Sequence, residues 1–227
     1  MKIILLMTLF LFNITFTMEN YLIKYNPKLD KTTAKYIVYN VMENSRKYDI
    51  NPYLVLAVMQ TESSFNHNTV SHAGAKGLMQ LMPFNFREFN VDNTIAGNIR
   101  GGVLHLKRDF ERTKNIRDTL ICYNAGCGRL KNNAWLNIKE TRDYIVKVDK
   151  FYKKIMEYRK NRNPNFENTL KISKTDNTKI ESGNKTVKAE IEEEESKIKK
   201  GWRNNNTISY IKRDLKTVEK RENEEDF

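Results

Sequence analysis

Apolar side chains recur every three or four positions through most of the first 158 residues, a spacing that predicts a succession of helices. From Asp30, a residue suited to cap a helix, Ala34, Ile37, Val38, Val41 and Met42 share one face as far as about Tyr48. Asn51-Pro52 reads as cap and first residue of the next helix. Leu54, Val55, Val58 and Met59 form its apolar stripe, and Glu62 falls on the same face at its end. Between Ser63 and Thr94 the periodicity lapses, and Gly74 and Gly77 punctuate the run. That pattern predicts a structured loop with short helical turns at most, a kind of segment that often carries function. Regular spacing resumes through Ile99, Val103, Leu106 and Phe110, then from about Asn115 to Asn124, where Gly126 and Gly128 end the helix. A last helix, from about Thr141 to Tyr158, places Ile145, Val148, Phe151, Tyr152 and Ile155 on its apolar side. No alternating strand pattern persists, so the body is expected to be all-α.

The two ends read differently. Residues 1–17 open with one lysine and an apolar run too short to span a bilayer comfortably, which predicts a signal peptide or an N-terminal anchor. Residues 18–29 read as a linker, residues 30–158 as the globular domain, and residues 159–227 as a charged, low-complexity tail. The tail is expected to be largely disordered, with a terminal helix through Ile208, Ile211, Leu215 and Val218. Net charge is +12, carried mostly by the body. Export turns that charge away from nucleic acid and toward a polyanionic wall or an acidic membrane surface, with a solvated basic face as the alternative.

Two cysteines, Cys122 and Cys127, exclude a disulfide framework. A local bridge needs Cα atoms at roughly 5.5 Å, which is awkward across a helix end and the Asn124-Ala125-Gly126 turn. The expectation is a small core residue at Cys122 and a free thiol at Cys127, with the bridge left open. His67, His72 and His105 lack metal-ligand spacing with the cysteines, so neither a metal site nor a cofactor is expected.

Glu62 is the candidate for chemistry. Taken alone, it is a side chain bending out to water at a helix end. Four segments change that: Glu62-Ser63-Ser64-Phe65, Gly77-Leu78-Met79-Gln80 with Met82-Pro83, Tyr123-Asn124-Ala125-Gly126, and Glu140-Thr141-Arg142-Asp143-Tyr144. In this order and spacing they resemble the catalytic domain of the soluble lytic transglycosylases, a lysozyme-like (goose-type) helical family acting on peptidoglycan. Asn98-Ile99-Arg100-Gly101-Gly102 is similar to a fifth stretch of that family.

The resemblance implies Glu62 as the single catalytic acid and base. It implies Gln80, Ser71 and Met82 along the saccharide groove, and Tyr123 with Asn124 on a helix facing the acid, the phenol near the carboxylate. Gly77, Glu140 and Tyr144 would support the site, Glu140 through the dipole of a helix start and pairing with Arg142 or a lysine. Cys127 stands where the family usually has proline, and Phe84-Asn85 replaces a small residue and threonine, both at the groove edge.

The implied reaction cleaves the bond between N-acetylmuramic acid and N-acetylglucosamine with closure of a 1,6-anhydro ring, the substrate's acetamido group replacing a second carboxylate. Glu62 would then need its ordinary value of about 4.3 raised by about 2, mainly through desolvation by Val58, Met59, Phe65 and the Met79/Met82 loop. A hydrolase on the same fold and a silent wall-binding scaffold are the alternatives. The expected partners are peptidoglycan strands and, through the tail, a secretion or conjugation apparatus, with the chain a monomer in the bacterial envelope or periplasm.

Overall fold

The structure is a computed structural model that describes residues 15–162. The signal or anchor reading of residues 1–14 and the tail and terminal-helix readings from residue 163 lie outside the described residues. Among the described residues every regular element is helical, as the periodicity predicts. Helix α1 occupies residues 15–25. It is followed by α2 (Lys31–Tyr48), α3 (Pro52–Ser63), the short α4 (Pro83–Glu88), α5 (Ile95–Thr113) and α6 (Ile116–Ala125). A kinked 3-10 segment (Cys127–Asn137) and α7 (Lys139–Arg162) complete the order.

The caps follow the sequence. Asp30 accepts a hydrogen bond from Thr33 N at 2.9 Å, and Asn51 Oδ1 accepts from Tyr53 N at 2.8 Å with Pro52 opening α3. Helix α3 is the centre of the molecule. Nine of its twelve residues are buried, so it is covered on every side and lacks a polar face. Each buried Leu, Val or Met along it contributes about 1.5–3 kcal/mol of apolar transfer free energy. Helix α7 packs along α3, α2 packs on both α3 and α5, and α6 lies between α5 and α7.

Residues 18–29, expected to be a linker, are part of this core. Met18, Tyr21 and Leu22 are spaced three and four apart and fully enclosed, and Leu29 is buried behind them. Tyr21 donates to Gln60 Oε1 at 2.8 Å, and Asn26 Nδ2 donates to the Phe65 carbonyl at 3.1 Å. The stripe is a single helical turn beside a signal-like apolar run, so its own periodicity is masked by its neighbour. At the other end α7 continues to Arg162.

The long loop is held by specific backbone geometry. Ser64 and Phe65 both adopt left-handed φ (51° and 64°), turning the chain so that the Phe65 ring is fully buried. Lys76 and Leu81 exchange backbone hydrogen bonds of 2.9 and 3.0 Å, the nearest thing to a strand pair among the described residues.

Candidate functional site

Glu62 sits in the last turn of α3, on the face that α7 covers. It lines an open cavity of about 420 Å³ with Thr61, Asn124, Lys139, Glu140, Asp143, Tyr144 and Lys147. The Tyr144 hydroxyl donates to Glu62 Oε1 at 2.8 Å. Burial pushes the Glu62 carboxyl up to about 7; the Tyr144 hydrogen bond opposes this, and the nearby Glu140 charge adds to it. Desolvation is the leading cause, since an ionised carboxylate here gives up water and regains one phenol.

Three sets of contacts fix the walls. Tyr123 is buried on α6 and donates to the Met79 carbonyl at 2.8 Å. Burial, and after it the nearby Glu62 charge, drives the ionisation of its phenol well above the usual phenol range. Asn124 Oδ1 accepts from the buried Thr141 hydroxyl at 2.8 Å, pinning the end of α6 to the start of α7. Ser63 Oγ lies 3.1 Å from the Met59 carbonyl and 2.9 Å from that of Leu78, tying the end of α3 to the glycine-punctuated loop.

The sequence-predicted residues fall into two groups. Glu62, Asn124, Glu140 and Tyr144 meet at the cavity, with Tyr123 directly behind. Ser71, Gln80 and Met82 stand outside that wall. Gln80, itself at φ 47°, directs Nε2 to the carbonyls of Gly77 (2.9 Å) and Thr69 (3.1 Å), so its amide braces the loop. Ser71 closes a turn by accepting from Ala75 N at 3.0 Å, and Met82 precedes α4 with its N–H on Asn85 Oδ1 at 3.1 Å. Gly77 has φ +79° and lies against the Asn98 side chain, leaving no room for a Cβ. Asn98 uses the approach: Oδ1 accepts from Met79 N at 2.8 Å and Nδ2 donates to the Lys76 carbonyl at 2.8 Å.

Cys122 and Cys127 form a disulfide, which corrects the expectation of a free thiol at Cys127. Gly126, at φ +83°, reverses the chain after α6 and brings the two Cα atoms to 4.1 Å. The bridge closes over Tyr123 and Asn124. The sequence also left unread the fully buried Asp109 and its neighbour His105, whose Nε2 lies 3.2 Å from Asp109 Oδ2. Their i, i+4 spacing on the apolar face of α5 was the available signal.

Residues 39–145 match the profile of the family described as Transglycosylase SLT domain. This stretch is similar to an SLT domain. Over 108 residues the chain is 37% identical to the transglycosylase of Enterobacteria phage PRD1, covering 47% of this chain and 39% of that protein. It is 57% identical over 109 residues to membrane-bound lytic murein transglycosylase C of Salmonella arizonae, covering 48% of this chain and 28% of that protein. The chain therefore spans well under half the length of these relatives. Among solved structures it is similar to an inactive mutant of the lytic transglycosylase Slt from Pseudomonas aeruginosa. That likeness has 23% identity and a TM-score of 0.44, over 57% of this chain and 24% of that one. The matched stretch contains the whole cavity wall except Lys147, whereas α1, the first turns of α2 and most of α7 lie beyond it.

Proposed function

We propose that this chain is a peptidoglycan lytic transglycosylase that cleaves the MurNAc-(1→4)-GlcNAc bond and leaves a 1,6-anhydroMurNAc end. One observation carries the reading: an acid raised to about 7 faces an open cavity with a phenol on one oxygen. Such a group holds its proton near neutral pH yet ionises readily, as a residue acting first as acid and then as base must. Glu62 gives its proton to the glycosidic oxygen as the C1–O bond breaks, and the substrate's acetamido oxygen bonds to C1. Ionised Glu62 then takes the proton of the muramoyl C6 hydroxyl while O6 displaces the acetamido oxygen at C1. Protons and bonds balance without water. Tyr144 steadies the carboxylate between the two steps through its hydrogen bond.

Asn124 and the Met79 carbonyl edge, held by Thr141 and Tyr123, shape the saccharide side, and Ser71, Gln80 and Met82 extend it through the loop they brace. The catalytic unit is the body from residue 15 to 162, exported by the segment before it, and the tail recruits a partner of the envelope. A hydrolase reading has one observation in its favour: Glu140 lines the same cavity as Glu62. Digestion of purified peptidoglycan by the parent and Glu62→Gln proteins, with product masses, tests both. Products lighter by one water and lost in Glu62→Gln support the transglycosylase; reducing ends that depend on Glu140 support the hydrolase; no cleavage by the parent defeats both.

A further inference from the structure

Behind Tyr123 lies a buried polar cluster that the reaction above does not use. The His105 ring stacks on the Tyr123 ring at a centroid distance of 4.3 Å and an interplanar angle of 28°. The Phe89 ring also neighbours it, at a centroid distance of 5.9 Å. Asp109, with no exposed surface, accepts from Arg108 Nε at 3.0 Å through Oδ1, and its Oδ2 lies 3.2 Å from His105 Nε2 without hydrogen-bond geometry. Arg108 continues to Glu88 with contacts of 2.6 and 2.7 Å, anchoring α5 to α4. Burying His105 and Asp109 together costs desolvation that an apolar pair would avoid, which calls for a compensating role.

We propose that His105, beside Asp109, is a positioning residue that sets the plane of Tyr123 and thereby keeps water from entering behind Glu62, on the side away from the open cavity. The phenol bonds the Met79 carbonyl with its ring lying against the imidazole. Without that ring, Tyr123 tilts into the vacated space, releases Met79 and admits water toward Glu62. Tyr123 stands electrostatically between the two groups, feeling Glu62 on one side and Asp109 and Arg108 on the other. The titratable groups facing Glu62 are Tyr144 and Glu140 from α7 and Tyr123 from α6, with Lys139, Asp143 and Lys147 at the cavity rim. Added water returns the Glu62 carboxyl toward the ordinary carboxylate range.

This inference rests on Glu62 as the acid, so its test includes a readout independent of cleavage: carbon NMR titration of the Glu62 carboxyl. His105→Ala is expected to lower the Glu62 midpoint by about one pH unit. The basic limb of kcat/KM should move with it, giving about tenfold less activity above the limb. A merely structural role would lower Tm and leave both unmoved, and that result overturns the proposal. If His105→Ala does not fold, His105→Phe/Asp109→Asn and His105→Leu/Asp109→Asn decide it, because only the first keeps a stacking ring. Phe is expected to retain the parental midpoint and Leu to lower it; equal midpoints sink the idea. A parent that never cleaves peptidoglycan, with the midpoints still divided as expected, rejects the function and leaves the positioning role intact.

Discussion

Tyr144, near the start of α7, donates a 2.8 Å hydrogen bond to Glu62, at the end of α3, across 82 positions of sequence. The contact favours the ionised carboxylate while burial favours the neutral acid, and burial wins. The site is thus poised by two opposing effects, each assigned to named side chains.

Removing the phenol oxygen unbalances them. In Tyr144→Phe the ionised form loses its donor, so Glu62 holds its proton to a pH above 7. A higher value makes Glu62 a weaker acid, so the proton-donation step slows, while the carboxylate, once formed, is the stronger base. A kcat lower by about tenfold, with the basic limb displaced upward, is the expected pH–rate result. A downward displacement would mean that the phenol excludes water more than it bonds.

Glu62→Gln should abolish anhydro-product formation, lowering kcat by at least about a hundredfold while binding to sacculi persists. It should also change stability with a definite sign. The folded carboxyl titrates near 7 and the unfolded one near its ordinary value of 4.5. Between those values the unfolded chain binds fewer protons, so stability falls as pH rises through the window. The loss is complete above the folded value and amounts to on the order of 3 kcal/mol. The glutamine variant escapes it, so its Tm should exceed the parental Tm at pH 8 and approach it at pH 4. Parallel melting curves at both pH values would falsify the assignment of that cost to Glu62.

The disulfide gives a third prediction. Cys122 and Cys127 close a short loop over the residues that face the cavity, and a bridge of that span stabilises by about 2 kcal/mol in chain-entropy terms. Thiol titration of the unfolded, unreduced protein should find no free sulfhydryl. Cys127→Ser should lower the urea midpoint and leave the Glu62 dependence of cleavage unchanged. Two reactive thiols in the oxidised protein would remove the bridge from the account.

Helices α2 and α3 were legible because a cap residue and an apolar stripe agree in both. Glu62 stood out through the four segments around it in the sequence, since its place on the Val58/Met59 face alone reads as a side chain bending out to water. What the sequence could not show was pairing between elements. Nothing local tells Tyr144 from Tyr123 as the donor to Glu62, since both are buried tyrosines and the choice is made by how α6 and α7 pack. Gln80 and Ser71 carry side chains suited to sugars, but the left-handed turns of the loop direct them to its own backbone. The bridge was missed because its reach depends on the φ of Gly126, which spacing does not encode.

Helix α1 escapes the sequence for a different reason. Met18, Tyr21 and Leu22 form one turn of stripe, too short to be called against the apolar run before it, yet all three are enclosed by the body. Burying them contributes several kcal/mol, at about 1.5–3 kcal/mol for a full-sized apolar side chain. The Tyr21–Gln60 hydrogen bond adds to this, since Gln60 is buried and loses its partner without Tyr21. A chain beginning at residue 30 should therefore be less stable than one beginning at residue 15 by about 5 kcal/mol, a large fraction of a small domain's total. Urea unfolding of both should also give a smaller m-value for the shorter chain, because less surface is exposed on unfolding. Tyr21→Phe, which keeps the ring and leaves Gln60 unpaired, should lose about 1–2 kcal/mol of that difference. Equal midpoints for the two lengths would return residues 18–29 to the linker that the sequence predicts, and would move the start of the folded body to α2.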